Sequence, residues 1–583
     1  MGERRNGITR RQAIVGAGAA TVAAGTTALG TGDARAAEGW AHTADIVIAG
    51  TGIGASTAAV AAHENGDSVL MLDKATVYGG TSAKTAAVFW IPNNYVLKER
   101  GIDDRKADCL EYMARFSYPQ YFDPTDATLG VSPSAYALLE AFYDNASPAI
   151  DFLRRHRALD IAEWRMFGLD QPATDYLDAV PENKVPQGRA LGVVKEDGSL
   201  GIGVHMMKQM ERAVRSRDIP VLLGHRAGSV LRNDSGRVVG VAAEQDGKRV
   251  TIGARKAVIF ATGGYAHNAD FVSKHQRARS YGACALPSSN GDFINIAGAA
   301  GARMGNMSGA WRMQVMVEEA VRTSILGVGV FLPPGDSSFQ VNKYGRRAVD
   351  EAANYDDRAE VHAAFDSAKV EFPNQIMFWI YDQRTAEGFA GLHPLPEKPN
   401  DSPYVIQGRD LDELTGRIRE RLAKIAPETG GLELDPAFTE NLRATRERFN
   451  GFARAGRDED FNRGASLYDT EWKRAWMPMR TDTDWPPNEG PNITLHPMRD
   501  EGPFYAILLA AGMLDTCGGP AIDASARVLD TNDGPIPGLY GAGNCIASPS
   551  AEAYWGGGCP LALSLTYGYI AANAAHGEPS VGI

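Results

Sequence analysis

The chain has 583 residues, 44% of them apolar, and a formal net charge of −12, as suits a soluble globular protein of two or more domains with a sizeable buried core. So acidic a balance argues against nucleic acid and anionic membranes as partners. Downstream of the N-terminus no run of about eighteen apolar residues offers an integral membrane segment. The five cysteines, Cys109, Cys284, Cys517, Cys545 and Cys559, form no CxxC or CxxCH pattern, so no disulfide framework, zinc site, other metal site or attached c-type haem is expected.

Thr9-Arg10-Arg11-Gln12-Ala13-Ile14-Val15 opens a weakly hydrophobic Ala/Gly/Thr-rich stretch to about Gly30, and Ala34-Arg35-Ala36 supplies a small–x–small cleavage site. Residues 1–36 therefore read as a twin-arginine export signal, which directs a folded protein to the periplasm, cell envelope or exterior. Its removal takes away five Arg and two acidic residues and leaves 54 basic against 69 acidic residues.

Asp45-Ile46-Val47-Ile48-Ala49-Gly50 is a short apolar run ending in glycine, the pattern of a buried parallel strand. Residues 54–65 are Ala-rich and helix-compatible, and Ser68-Val69-Leu70-Met71-Leu72-Asp73 is a second apolar strand ending on a carboxylate. Together residues 45–74 form a βαβ unit. Its turn, Gly50-Thr51-Gly52-Ile53-Gly54-Ala55, fits GxGxxA. Gly50 permits the tight turn and Gly52 lets a pyrophosphate approach the backbone at the helix N-terminus. Ala55 still allows close helix–strand packing. Asp73, 23 residues after Gly50, is placed to accept ribose hydroxyls. Next comes Gly79-Gly80-Thr81-Ser82-Ala83-Lys84, whose small residues and hydroxyls suit phosphate and flavin. An NAD enzyme has no need of this second segment, so the pair points to FAD.

Further along, residues 133–157 read as a helix and 165–200 as irregular. Ile219–Leu231, Arg237–Ala243 and Arg249–Phe260 read as strands, the last running into Ala261-Thr262-Gly263-Gly264. Between 308 and 498 the composition shifts toward Arg, Trp, Pro and Asp, which marks an inserted second domain; βαβ character returns at 503–575. Gly538-Leu539-Tyr540-Gly541-Ala542-Gly543-Asn544 is a strand running into a loop. Pro560 then suits the start of a helix to about Ala575, whose N-terminal partial charge would stabilise an anionic reduced flavin. The expected fold is thus α/β, with a discontinuous Rossmann-like FAD-binding domain (residues 42–307 and 499–578) and an inserted α+β catalytic domain (308–498).

These segments resemble the fumarate reductase/succinate dehydrogenase flavoprotein superfamily, and within it the 3-ketosteroid dehydrogenases, above all the Δ1 type. The resemblance spans roughly residues 42–578 and is carried by Gly80-Thr81-Ser82-Ala83, Trp90-Ile91-Pro92, Ala261-Thr262-Gly263-Gly264, Gly291-Asp292, Val341-Asn342 with Asp350-Glu351, Gly502-Pro503-Phe504-Tyr505-Ala506 and Gly543-Asn544. It implies non-covalent FAD held also by Ile53, Gly54, Lys74, Ala227, Asp292, Pro560 and Leu561. Fumarate reductases carry an arginine where this chain has Tyr355, a histidine where it has Asp515, and another arginine in the loop that is here Tyr554-Trp555-Gly556-Gly557-Gly558. A site without those cations would bind a dicarboxylate poorly.

Ketosteroid dehydrogenases use tyrosines instead. By resemblance Tyr355 is the proton-abstracting base, Tyr176 supports it, and Tyr554 with the Gly558 N–H holds the ketone oxygen while hydride passes to flavin N5. Neighbouring Asp356 and Asp357 would raise the pKa of such a base and Arg358 would lower it. Two departures stand out. The family's Ser-Gly-Gly is Thr85-Ala86-Ala87 here, and Trp555 replaces a proline, where it is expected to narrow the pocket or stack on substrate. The implied substrate is a small apolar cyclic ketone or enone, with an unspecified electron acceptor. An enoate or enone reductase and a flavoprotein electron carrier are the alternatives.

Overall fold

The computed structural model describes residues 39–166, 169–399 and 402–583; the expected export signal lies outside the described residues. In chain order the elements that build the site begin with β1 (His42–Ala49), α1 (Ile53–Glu64), β2 (Val69–Asp73) and β3 (Val88–Trp90). They continue with α2 (Pro133–Arg155), β4 (Ile161–Glu163), β5 (Ala190–Val193), β6 (Val221–Leu223), β7 (Arg226–Arg232), β8 (Val238–Gln245) and β9 (Lys248–Phe260). The second half contributes β10 (Ala310–Met316), β11 (Ser338–Val341), α3 (Tyr355–Glu360), β12 (Ile376–Asp382), β13 (Ile406–Gly408) and α4 (Leu467–Trp476). Last come β14 (Phe504–Thr516), β15 (Arg527–Leu529), β16 (Pro535–Gly541) and α5 (Cys559–His576).

The βαβ unit forms where the sequence places it. β1 and β2 pair in parallel, Ile46 opposite Val69. Val47 and Ile48 are fully buried, as expected of a parallel strand covered on both faces. Gly50 has φ +113°, and a Cβ there would lie 2.3 Å from the Ala261 carbonyl oxygen, so no other residue makes this turn unstrained. The main sheet runs β15-β16-β9-β1-β2-β6, and β8 joins β7 to β9. The single strand expected over 219–231 is two. β6 lies parallel on β2, Gly224 turns the chain at φ +71°, and β7 then runs antiparallel on β8.

The second sheet runs β10-β14-β12-β11, with β13 also on β14, and its ladders are antiparallel. β14 lies where βαβ character is expected to return, yet it is the strand to which β10, β12 and β13 all pair. Its two faces serve different cores. Tyr505, Ile507 and Leu509 pack toward the nucleotide-binding core, whereas Ala506, Leu508 and Ala510 pack into a second core with Phe378, Ile380 and Ile418. This is the two-residue alternation of a strand buried on both sides. α5 is apolar around its circumference because it is buried centrally. Its backbone meets that of α1 so closely that a Cβ on Gly568 would lie 2.2 Å from Gly54 O. Among the described residues no helix is long and apolar enough to cross a membrane.

Candidate functional site

A cavity of about 520 Å³ runs along the carboxyl ends of β1, β2 and β9, where open α/β sheets place their ligands. Gly50, Gly52, Ile53, Gly54, Asp73, Lys74, Gly80, Thr81, Ser82, Lys84, Ala227, Thr262, Gly263, Asp292, Gly543, Asn544, Pro560 and Leu561 all line it. Three expected cofactor residues do not. Ala55 is buried inside α1, and Ala83 faces Gly79 within the turn. Gly264 donates its N–H to Asp515 Oδ2 at 3.1 Å and leaves no room for a Cβ beside Thr516 Oγ1. Asp515 therefore reaches the wall instead, held also by Asn544 Nδ2 at 3.0 Å.

The donor set suits a flavin dinucleotide. The α1 N-terminus opens on the cavity with no acidic residue in its first turn and with Ser82 Oγ accepting from the Ile53 N–H at 3.1 Å, and that of α5 opens behind Gly558 and Pro560 with neither a capping side chain nor an acidic residue. Both leave N–H groups and partial positive charge for an anion. Asp73 is fixed by Thr51 Oγ1 at 2.7 Å and the Ala75 N–H at 2.8 Å. Lys74 is paired with Asp292 at 2.8 Å, and Arg226 grips the same carboxylate. Burial of Asp292 raises its pKa, but these two cations outweigh it and hold the group below its ordinary value. Ala87, where the resemblance expects glycine, takes φ +55° and is fully buried.

Tyr176, Tyr355, Tyr554 and Gly558 meet on the same cavity. α3 starts at Tyr355 because Asn354 caps it, accepting from the Asp356 and Asp357 N–H groups. The Tyr176 hydroxyl donates to Tyr355 Oη at 2.8 Å. The Tyr176 ring stacks on Tyr554 at 5.1 Å, and Tyr355 stands edge-on to Tyr554 at 5.4 Å. Burial raises the Tyr554 pKa, and the nearby Gly558 N–H offsets part of that rise. Gly558 has φ +89° and a Cβ there would lie 2.1 Å from Val88 O, so this N–H is presented by a backbone that only glycine permits.

Trp555 neither narrows the pocket nor stands where it can stack on substrate. It is fully buried between Trp90 and Phe142, each 5.3 Å away, with Nε1 donating to Ser117 Oγ at 3.0 Å. Its carbonyl accepts from Tyr112 Oη at 2.5 Å and Tyr176 N at 3.3 Å. It therefore locks the Tyr554 loop to the turn that carries Tyr176.

Electrostatics keep the tyrosines protonated at rest. Burial pushes Tyr355 well above the ordinary phenol value, and the Tyr176 and Tyr554 phenols beside it add to the push. Asp356 works in the same direction on Tyr176 and Tyr554. Arg358 does not counter it at Tyr355. Its guanidinium is spent on Gln314 Oε1 (2.9 Å) and on the carbonyls of Ala353 (2.7 Å), Val330 (2.5 Å) and Phe331 (2.9 Å). The remaining wall is aromatic and was not singled out by any local motif: Trp164, Trp311, Phe331 and Trp472, with Met313 and Val328. Among the described residues no cluster could hold a metal ion.

A family model described as FAD binding domain matches residues 45–561. The chain belongs to that family. This FAD-binding oxidoreductase is 30% identical over 581 residues to 4-oxocyclohexanecarboxylate 2-dehydrogenase of Sinomonas cyclohexanicum, covering 92% of this chain and 93% of that one. It is 29% identical to 3-oxosteroid 1-dehydrogenase of Mycolicibacterium smegmatis, covering 91% and 96%. Among solved structures, 3-ketosteroid delta1-dehydrogenase from Sterolibacterium denitrificans in complex with 1,4-androstadiene-3,17-dione superimposes with a TM-score of 0.74 at 23% identity, covering 92% of this chain and 99% of that one. That likeness concerns the fold.

Proposed function

We propose that this flavoprotein introduces a C=C bond next to the ketone of a cyclic substrate. The reading rests on one arrangement: three hydroxyls and a glycine N–H converging on the cavity wall, with no guanidinium among its lining residues. The names of both relatives, dehydrogenases of a 4-oxocyclohexane acid and of a 3-oxosteroid, support it. Tyr554 Oη and the Gly558 N–H would donate to the ketone oxygen and stabilise the negative charge that grows there. That polarisation acidifies the C–H beside the carbonyl. Tyr355 would accept this proton, with the Tyr176 O–H donating to the phenolate. Bound in the cavity, FAD supplies the acceptor for the second hydrogen, which leaves with its electron pair.

The reverse chemistry, reduction of an enone, is favoured by a different observation: Tyr355 is a protonated acid at rest. Anaerobic addition of saturated cyclic ketones to the oxidised holoprotein, followed by absorbance, separates the two from oxidation of reduced viologen by cyclic enones. Bleaching by the saturated ketones is expected. Tyr355→Phe should abolish it without loss of flavin. Retained turnover in that variant would remove Tyr355 from the role of base.

A further inference from the structure

Building on that dehydrogenase reading, we propose that the substrate carries one or two rings, and that Trp472, with Trp164 on the wall of the same cavity, sets the limit. The substrate must share one cavity with the flavin dinucleotide, and Trp164, Trp311, Phe331 and Trp472 line that cavity.

The wall beyond the tyrosines is bulky and fixed. α4 presents Tyr468 edge-on to Tyr176 at 5.2 Å and, one turn later, Trp472 to the cavity, 5.6 Å from Tyr468. Glu471, the residue before Trp472, is buried and accepts from Gln171 Nε2, from Thr174 Oγ1 and from Gln187 Nε2 at 2.8 Å. Those donors belong to the segment that supplies Ala173, Thr174 and Tyr176 to the cavity. Trp164 is tied into the same segment. Its N–H donates to Ala190 O at 3.0 Å, its carbonyl accepts from Ala173 N at 3.3 Å, and its indole lies where a Cβ on Gly192 would be 2.9 Å away. Two tryptophans bolted to one another's supports do not swing aside cheaply, and forcing extra rings against a packed wall is destabilising. A ring bearing the ketone would sit against Tyr554 and Gly558, and further fused rings extending toward α4 would meet indole.

The test uses the full-length holoprotein with a 4-substituted cyclohexanone, a 2-decalone and a four-ring 3-ketosteroid. Binding is read as the ligand-induced rise in melting temperature, and turnover as anaerobic flavin bleaching. The small ketones should bind and bleach, with the steroid weaker by about tenfold or more. Trp472→Ala should raise steroid affinity by about tenfold relative to the cyclohexanone, and Trp164→Ala should do so to a smaller degree. Should Trp472→Ala lose its flavin, Trp472→Leu carries the same comparison. The proposal is overturned if the wild type binds steroid as tightly as cyclohexanone, or if flavin-replete Trp472 and Trp164 variants leave the ratio unchanged. Those results leave the dehydrogenase reading standing. Silence toward every ketone in both readouts would instead remove that reading, and this size limit with it.

Discussion

Tyr176→Phe isolates one hydrogen bond in the tyrosine cluster. The substitution deletes the hydroxyl that lies 2.8 Å from Tyr355 Oη but keeps the ring stacked on Tyr554 at 5.1 Å, so the wall keeps its shape. Burial raises the cost of ionising both phenols, and Tyr176 adds to it at Tyr355, whereas the hydrogen bond with Tyr355 eases it at Tyr176. Once the pair has lost one proton, the proton that remains is donated by Tyr176 to the Tyr355 phenolate, and the two titrate as a unit. A hydrogen bond to a charged group contributes about 1.5–3 kcal/mol. At about 1.4 kcal/mol per decade, that is a loss of roughly ten- to 150-fold in kcat for dehydrogenation. The alkaline-rising limb of the pH–rate profile should move up by about one to two units, because the base is now harder to form. Steady-state rates with an artificial acceptor across the alkaline range, on protein of verified flavin content, measure both. An unchanged kcat with an unshifted limb would refute the assignment of Tyr176 as donor to the base.

The same logic fixes the sign of the pH dependence in the wild type. Tyr355 is held above its ordinary pKa by burial, so kcat/KM for dehydrogenation should climb by up to about tenfold per pH unit until the base is formed, while enone reduction should stay level over that range and fall only above it; a flat profile for dehydrogenation contradicts this. Gly558→Ala would put a Cβ 2.1 Å from Val88 O at φ +89°, and should lose at least about 2 kcal/mol of stability together with ketone turnover, read by thermal melting and rate. Asp73→Asn removes the charge fixed by Thr51 and Ala75, and titration of apo-protein with FAD should show affinity falling by about tenfold or more.

Much of the cofactor half was legible because its signals are local. A strand, a glycine turn, a helix and a terminal carboxylate are contiguous in residues 45–73, and the helices expected over 133–157 and 560–575 are observed at Pro133–Arg155 and Cys559–His576. The break between β6 and β7 hung on one positive-φ glycine, Gly224, inside an otherwise apolar run. β14 was harder. Its thirteen residues are nearly all buried, and a strand buried on both faces reads alike in a parallel and an antiparallel sheet. The substrate wall was not legible at all. Trp164, Trp311 and Trp472 come from three distant segments, and nothing near any one of them distinguishes a cavity-lining indole from a core one. Trp555 shows the converse: its place in the loop motif suggests contact with substrate, while Trp90, Phe142 and Ser117, brought there by tertiary packing, make it an anchor.

The near-contact of Gly54 with Gly568 bears on how the protein is made. Helix α1 leaves the ribosome long before α5, and Gly558, Pro560 and Leu561 complete the cavity only once α5 is in place. Flavin capture must therefore await the synthesis of α5. A nascent chain halted before Cys559, or a finished one trimmed back to it by a protease, should carry no yellow colour, so absorbance of the bound flavin doubles as a report that α5 has docked.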